Sequence, residues 1–536
     1  MFKREPGGQD LNRKSRFSIT RSPDHLISRS AQLGLVLILL LTLLSCSGRS
    51  DPHTLVMDIE SSPVNLDPRV GTDSQSERIS ELLFDSLVRK DEHFKLLPWV
   101  AESWETPDPT TYIFHLRKGI TFHDGRPLTS RDVKWTLDSF TNGSVISIRA
   151  ATYAHVRKVE APDDYTLIIH LDGPDATLLW NLSDGAFGIV PYGSGKELAA
   201  KPIGSGPFRF VRLDPDSQVV LERNASYWAK PPNVDRVQLR VVPDATTRAL
   251  ELRKGSADLI ATNSLGADMV NTLRRESGLR VQREPGTGLV YLAFNLRDPI
   301  LKDVRVRQAL AYAIDRQPIL DSLFGGFGRL ADSILPPEHW AYNGNVQEYP
   351  HSVDKANALL DQAGFPKGKD GIRFHLTMKT SNTEETSRLL PVVLQHQLRQ
   401  VGIVLDIRTF EFATLYSDII RGAFQLYSLR WVGGSNQDPD IFAYAFDSAS
   451  FPPKRGNRGY YSNPHVDELI AQGRTTADQA ERTRIYAEVQ KILAHDLPYI
   501  NFWYMDNVMV HTTRIRDLEV PLSGNYDYLT TAQWAQ

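Results

Sequence analysis

The amino-acid sequence predicts an α/β protein with mixed sheets. Patterns of period two, typical of strands, alternate with patterns of period 3.6, typical of helices, and no short repeat or low-complexity tract interrupts them. With 536 residues, of which 41% are hydrophobic, the chain can bury a large core in two or three domains or lobes. Beyond the N-terminus no linker rich in Pro and Ser divides the chain, so we expect ordered strands to cross between any lobes.

The first half of the chain contains clear strand and helix signals. Alternating apolar residues predict three strands, at residues 112–116, 165–171 and 237–241. Thr129 and Ser130 predict a helix start, because their hydroxyl groups cap the first free backbone N–H groups. Asp244 predicts a second helix start, and we expect that helix to end at Gly255.

The second half repeats this rhythm. Four helices are expected, over residues 304–314, from Ser352 to Gly364, over 383–401 and from Asp478 to about 494. Two strands are expected, one at 372–378 and one beginning at 403. The acceptor side chains at the helix starts and the glycines at the helix ends support these boundaries.

The N-terminal 46 residues have the pattern of a secretory signal. Seven basic and three acidic residues precede an apolar run at 33–44. This run is shorter than the roughly 20 residues of a membrane span. Residues 43–46 (LLSC) resemble a bacterial lipobox. We therefore expect a signal peptide at 1–45, a lipidated Cys46 and a polar tether at 46–54. The alternative is a buried cysteine in an uncleaved anchor.

The charge of the chain argues against nucleic acid as a partner. The formal net charge is −3, and removal of residues 1–45 leaves −7. Cys46 is the only cysteine, so no disulfide framework is possible within one chain. Stability must therefore come from the hydrophobic core.

Sequence motifs of the common hydrolases are missing. There is no GxSxG elbow, no HExxH zinc motif and no close histidine pair of the HxH or HxxxH type. We therefore expect a protein that is not an enzyme and that has no cofactor and no dedicated metal site. An exported hydrolase is the alternative from another functional class.

Four groups of recognisable motifs occur in a fixed order along the chain. They are AESW at 101–104 with 112–129, PIGSGPFRF at 202–210 with NASYW at 224–228, LAFN at 292–295 with 303–316, and YYSNP at 460–464 with DLPYI at 496–500. In this order they resemble the extracytoplasmic solute-binding proteins of the peptide/nickel type, bacterial family 5, which serve ABC importers. The resemblance covers about residues 55–504.

This resemblance implies a two-lobe periplasmic-binding-protein fold of type II, in the large peptide-binding cluster. We expect lobe 1 at 55–290 plus 508–536 and lobe 2 at 291–507, joined by hinge crossings at 284–291 and 504–510. Gly204 would suit a tight crossing between lobes, because glycine adopts unusual backbone angles. The implied mechanism is closure of a monomer around a peptide or similar small solute, followed by delivery to an ABC permease and ATPase. The alternatives are a metal-chelate or a sugar as the solute.

One segment matches the cleft-lining stretch of peptide-binding relatives. It is 430–440 (RWVGGSNQDPD), in which Trp431 and Asp438 fit the pattern. The relatives' aspartate that pairs with the peptide ammonium falls at Gly434 or Ser435. Either Asp438 or Asp440 takes over this role, or the ligand is a blocked peptide, a sugar or another solute.

Other cleft candidates follow from the same resemblance. Backbone groups of Gly433, Gly434 and Ser435 are available to an extended ligand, and Arg430 can bind a carboxylate through its planar fork. Tyr291 and Asn295 lie near the expected crossing. Asn65 is a further ligand candidate, at the cleft edge. Trp104 and Trp228 are expected to lie in the hydrophobic core.

Overall fold

The computed structural model describes residues 53–535, apart from 92, 184–186, 383–384 and 432–437. The described residues belong to one compact unit. The predicted signal peptide, Cys46 and the tether up to residue 52 lie outside the described residues, as do Gly433, Gly434 and Ser435.

The strands of the described residues are numbered in chain order. They are β1 Thr54–Ile59, β2 Val88–Lys90, β3 Leu96–Pro98, β4 Ala101–Asp108, β5 Thr111–Leu116, β6 Val156–Asp163, β7 Thr166–Leu171, β8 Phe208–Asp214, β9 Gln218–Arg223, β10 Arg236–Val241, β11 Leu259–Ile260, β12 Leu279–Phe294, β13 Gly328–Leu330, β14 Phe374–Ser381, β15 Ile403–Phe410, β16 Leu426–Trp431, β17 Tyr499–Thr512, β18 Ile515–Arg516 and β19 Gln533–Trp534.

The α-helices are numbered in the same way. They are α1 Ser74–Leu83, α2 Ser130–Thr141, α3 Leu178–Asn181, α4 Ala245–Lys254, α5 Ala267–Leu273, α6 Val304–Ala313, α7 Arg316–Leu323, α8 Val353–Gln362, α9 Glu385–Gln400, α10 Phe412–Ile420, α11 Ile441–Phe446, α12 Pro464–Thr475, α13 Gln479–Asp496 and α14 Tyr528–Thr531.

The predicted α/β class with mixed sheets is confirmed. Eleven of the described strands form one sheet in the order β15-β14-β16-β12-β17-β11-β1-β10-β9-β8, with β13 also paired to β17. Parallel pairs, such as β1 with β10, occur beside antiparallel pairs, such as β12 with β17. A second sheet has the order β4-β5-β7-β6 and is antiparallel throughout.

Helix starts follow the predicted caps. Asp244 accepts a hydrogen bond from the Thr247 backbone N–H at 2.7 Å, and Gly255 ends α4 in the left-handed region with φ 75°. Ser352 and Asp478 cap α8 and α13 in the same way as Asp244 caps α4. Local side-chain chemistry therefore places these boundaries.

The two longest strands, β12 and β17, pair with each other over nearly their full lengths. The pairing runs from Leu279 opposite Thr512 to Ala293 opposite Tyr499, with an irregularity between Glu284 and Gly288. Both predicted hinge segments, 284–291 and 504–510, therefore lie within one pair of strands in the middle of the large sheet.

The apolar core falls into clusters that follow the chain. Two clusters contain residues between 289 and 504. Three others contain residues from 55–279 and 508–532, and Phe327 is the one member from outside these ranges. The strands β12 and β17 contribute side chains to clusters of both kinds.

Gly204 packs closely against the end of α1. An added Cβ at Gly204 would lie 1.9 Å from the Leu83 carbonyl oxygen, at the C-terminal end of α1, and one at Gly206 would meet the same backbone. Both glycines therefore allow close packing inside the 55–290 part of the chain. Close approach of two backbones, rather than an unusual backbone angle, is the reason for glycine here.

Candidate functional site

The candidate site lies at the end of β16, beside the paired strands β12 and β17. Trp431 is the last residue of β16 and is opposite Leu289, while Arg430 is opposite Val290. The large sheet therefore holds the first two residues of the predicted cleft segment next to the strands that contain both expected hinge segments.

Tyr291 supports Trp431 from the core side. Its ring lies 5.9 Å from that of Trp431 and 4.4 Å from that of Tyr499, at interplanar angles of 17° and 21°. Tyr291 is only 1% exposed, and burial raises the pKa of its hydroxyl. The geometry makes Tyr291 the neutral aromatic support of Trp431.

Arg458 packs against the same tryptophan. Its guanidinium carbon lies 5.4 Å from the Trp431 ring centre and 5.3 Å from that of Tyr416, and Nη2 donates to the Tyr416 hydroxyl at 3.0 Å. Arg458 is 7% exposed, and its buried Nε has no hydrogen-bond acceptor. Arg458 is not predicted by the sequence motifs, because it lies outside all of them.

Partly exposed aromatic rings surround Trp431 and Arg458. Tyr416 and Tyr444 are each 37% exposed, and Tyr444 meets Trp431 edge-on at 5.8 Å. Phe412 stacks on Tyr416 at 5.9 Å. These rings offer an apolar surface around a buried cation, which suits a ligand with both apolar and polar parts.

Asp438 is held by Arg482. The Arg482 guanidinium donates three hydrogen bonds to the two Asp438 oxygens, at 3.0 to 3.2 Å. Arg482 is 1% exposed, so this charge would be costly without its partner. In this arrangement Asp438 serves Arg482 and has little capacity left for a ligand ammonium group.

Two tryptophans from distant parts of the chain enclose Arg482. Its guanidinium carbon lies 5.0 Å from the Trp180 ring centre and 5.2 Å from that of Trp340. Nearby, the Ala176 backbone N–H donates to the Arg474 carbonyl at 2.8 Å. The segment around α3 therefore contacts the start of α13 and the end of α12.

Asp440 also has an arginine partner. It forms an ion pair with Arg474 at 2.8 Å. Burial raises the pKa of Asp440 to about 7, while Arg474 opposes and Asp438 reinforces the shift. Neither aspartate proposed as a substitute for the ammonium-binding residue is thus a free carboxylate in this arrangement.

Asn295 and Asn65 make hydrogen bonds within their own surroundings. The Asn295 amide donates to the carbonyls of Gly422 and Phe424, at 3.1 and 2.9 Å. Asn65 accepts from the Asp67 backbone N–H at 2.9 Å. The structure therefore brings the side chains of Trp431 and Tyr291 together, whereas Arg430, which directly precedes Trp431 in β16, points to the opposite face of the sheet. The side chains of both asparagines are engaged within the protein itself.

Asp85 connects several of the recognisable motifs. This buried carboxylate accepts hydrogen bonds at 2.8 to 3.0 Å from Trp99 Nε1, the Ser205 hydroxyl, the Tyr227 hydroxyl and Trp228 Nε1. The motifs at 202–210 and 224–228 thus meet at one acceptor. Trp228 and Trp104 both pack against a core cluster, as the sequence analysis expected.

A separate cavity of about 50 Å³, with a mixed polar and apolar lining, lies within the 311–501 region. In its wall, Arg316 donates to the carbonyls of Ala331 and Asn501 at 2.7 Å each. The cavity has room for a few water molecules only.

Among the described residues, no group of three or more His, Cys, Asp or Glu side chains is placed to hold a metal ion. Within the same residues, no helix has the length and apolar character needed to cross a membrane.

Comparison with known proteins identifies the family. The family model described as "Bacterial extracellular solute-binding proteins, family 5 Middle" matches residues 95–452. The dipeptide-binding protein of Escherichia coli K12 is 27% identical over 522 residues, covering 92% of this chain and 95% of that protein. Heme-binding protein A of Haemophilus influenzae is 28% identical, covering 84% and 87% of the two chains.

The fold agrees with this result. The ABC transporter-associated periplasmic binding protein of Helicobacter pylori, solved in complex with the peptide STSA, superposes with a TM-score of 0.74. The two chains are 27% identical, and the match covers 90% of this chain and 98% of that one. The chain belongs to the bacterial extracellular solute-binding proteins of family 5.

Proposed function

We propose that this protein captures a peptide or similar small solute between two lobes and delivers it to an ABC permease and ATPase. The observation that carries the proposal is the position of Trp431, at the end of β16 and beside the crossing pair β12 and β17. A ligand held there would contact the region where both lobes meet.

The proposed lobes are 55–290 plus 508–536 and 291–507. The core clusters support this division, because their members separate at almost the same residues. The two crossing strands supply the hinge. Ligand binding favours the closed arrangement to the extent that the ligand binds it more tightly than the open one.

Contacts between the proposed lobes support a closed arrangement. Trp180 belongs to the first proposed lobe, whereas Arg482 and Trp340 belong to the second, and the three side chains pack together. Phe94 of the first lobe lies 5.1 Å from the His339 ring of the second. These contacts would be lost if the lobes separated.

The proposed location is outside the cytoplasmic membrane, with a lipid anchor at Cys46 after removal of residues 1–45. Family membership supports export. The basic residues, the short apolar run and the LLSC sequence support the anchor. We propose that the anchored protein works as a monomer and without catalytic activity, which agrees with the binding functions named for its relatives.

A peptide is the proposed solute. The names of the dipeptide-binding relative and of the structure in complex with STSA support it. Backbone groups of Gly433, Gly434 and Ser435, together with Arg430, Asn295 and Asn65, remain proposed ligand contacts. Trp431, at the end of β16, is the ligand contact on which the proposal relies most.

Native mass spectrometry of the protein purified from cells tests this proposal. The full chain is isolated in mild detergent without denaturation, and its bound solutes are released and sequenced. A heterogeneous set of adducts at peptide masses is the expected result. A single non-peptide mass, or a protein without any adduct that also fails to respond to added peptide pools, would contradict a peptide ligand.

A further inference from the structure

We infer that Arg458 binds a carboxylate group of the ligand, while Trp431 and Tyr416 contact the ligand's apolar part. This inference rests on the proposed function and specifies the charge of the solute. Its basis is a buried guanidinium that packs against the rings of Trp431 and Tyr416 and has an N–H group without an acceptor.

The position of Arg458 suits ligand recognition. The side chain lies against Trp431 and Tyr416, and one of its nitrogens is fixed by the Tyr416 hydroxyl. Tyr416 and Tyr444 remain partly exposed, so a ligand resting on these rings comes close to the guanidinium. Fixation by the rings also lowers the entropy cost of binding, because the planar fork is already oriented.

The charge of Arg458 is not neutralised by the described residues. No described carboxylate forms an ion pair with it, and the undescribed segment 432–437 (VGGSNQ) contains no acidic residue. The acids Asp438 and Asp440, which follow Trp431 in the chain, are paired with Arg482 and Arg474. A buried cation without a counter-charge is costly, and a ligand carboxylate would remove that cost.

A carboxylate fits this guanidinium better than a neutral acceptor does. Arginine presents N–H groups in a plane that matches the two oxygens of a carboxylate, and such charge-assisted pairs are the stronger hydrogen bonds. The free Nε–H supplies one of these donors.

Matched pairs of carboxylates and amides test the inference. The full chain in detergent is stripped of bound solutes and titrated with a pool of N-acetylated tripeptides, with the same pool amidated at the C-terminus, and with indole-3-acetate and indole-3-acetamide. Binding is followed by tryptophan fluorescence and calorimetry. We expect at least one carboxylate member to bind tenfold or more tightly than its amide.

Variants assign this preference to Arg458. Arg458→Met should abolish the difference between carboxylate and amide, and Arg458→Lys should retain part of it because the charge remains without the planar fork. Arg421→Met is the matched control, because Arg421 is an exposed arginine that pairs with Asp418 at the end of α10. The unfolding temperature without ligand shows which variants are folded. If Arg458→Met does not fold, the comparison of carboxylate with amide is made with Arg458→Lys.

The outcomes separate the two proposals. Tighter binding of indole-3-acetate alone, lost in the Arg458 variants, would support a carboxylate site and contradict a peptide ligand. Tighter binding of the acetylated peptides than of their amides, lost in the Arg458 variants, would support both the peptide ligand and the carboxylate site. Absence of any carboxylate preference in the unmodified protein, or its persistence in the folded Arg458 variants, would overturn the inference.

Discussion

Arg482 and Asp438 form a nearly buried pair joined by three hydrogen bonds, and two tryptophan rings enclose the guanidinium. Trp180 and Trp340 come from segments 160 residues apart, so the pair joins distant parts of the chain. Asp438 is one of the two aspartates that the family resemblance suggests for binding a ligand ammonium group, and its oxygens already bind Arg482. This geometry favours a structural role for Asp438.

Replacement of Arg482 should destabilise the protein strongly. Arg482→Met leaves the Asp438 carboxylate partly buried without its partner, which typically costs about 3–5 kcal/mol. The measurement is the free energy of unfolding from urea denaturation. Arg484→Met is the control on the same helix, because its pair with Glu481 is exposed and should contribute less than about 1 kcal/mol. Equal losses for the two variants would contradict the structural role.

Trp180 should affect ligand affinity more than stability. The Trp180→Ala variant loses a stacking contact with Arg482 that exists only when the proposed lobes are together, and a desolvated cation–π contact is worth about 1–2 kcal/mol. We expect solute affinity to fall about tenfold. The solutes released from the purified protein serve as the ligand. Trp180→Phe keeps an aromatic face and should keep most of the affinity, whereas an unchanged affinity in Trp180→Ala would contradict the closure contact.

Asp440 should make stability fall as the pH rises from about 4 to 7. Its pKa is about 7 in the folded protein and near 3.8 when unfolded, so the folded state binds one more proton in this interval. The unfavourable charged form then costs on the order of 2–4 kcal/mol above pH 7. Asp440→Asn should match the unmodified protein at pH 4 and exceed its stability at pH 8. Parallel curves of unfolding free energy against pH would show that this assignment is wrong.

Asp85 should be essential for the packing of the first proposed lobe. Asp85→Ala leaves two indole N–H groups and two hydroxyls without their common acceptor, and each buried unpaired group costs about 1–3 kcal/mol. We expect a loss of at least about 3 kcal/mol in the free energy of unfolding. Asp172→Ala is the control, because its pair with His155 is on the surface. A loss below 1 kcal/mol at Asp85 would contradict this role.

Local patterns in the sequence predicted the short elements well. The start of α4 at Asp244, its end at Gly255 and the start of α8 at Ser352 depend on side chains beside the boundary, which periodicity and cap residues reveal. The unusual length of β12 was not predicted. Its first half is rich in charged residues and is held by pairing with β17, more than 200 residues away.

The candidate site was predictable only in part. Comparison of motifs indicated Trp431 and Arg430, because this segment has a recognisable order of residue types. Arg458 and the partner of Asp438 were missed, because their importance comes from tertiary contacts. A sequence shows that Asp438 is present, but not that its carboxylate is paired with Arg482.

Hydrogen exchange measured by mass spectrometry tests capture between two lobes most directly. The full chain is compared with and without the solutes released from it and added back. We expect slower exchange in the segment around Trp180 and, in the same experiment, in the segments that end at Trp431 and begin at Gln479. Protection confined to one of the proposed lobes, or none in either, would contradict binding by closure.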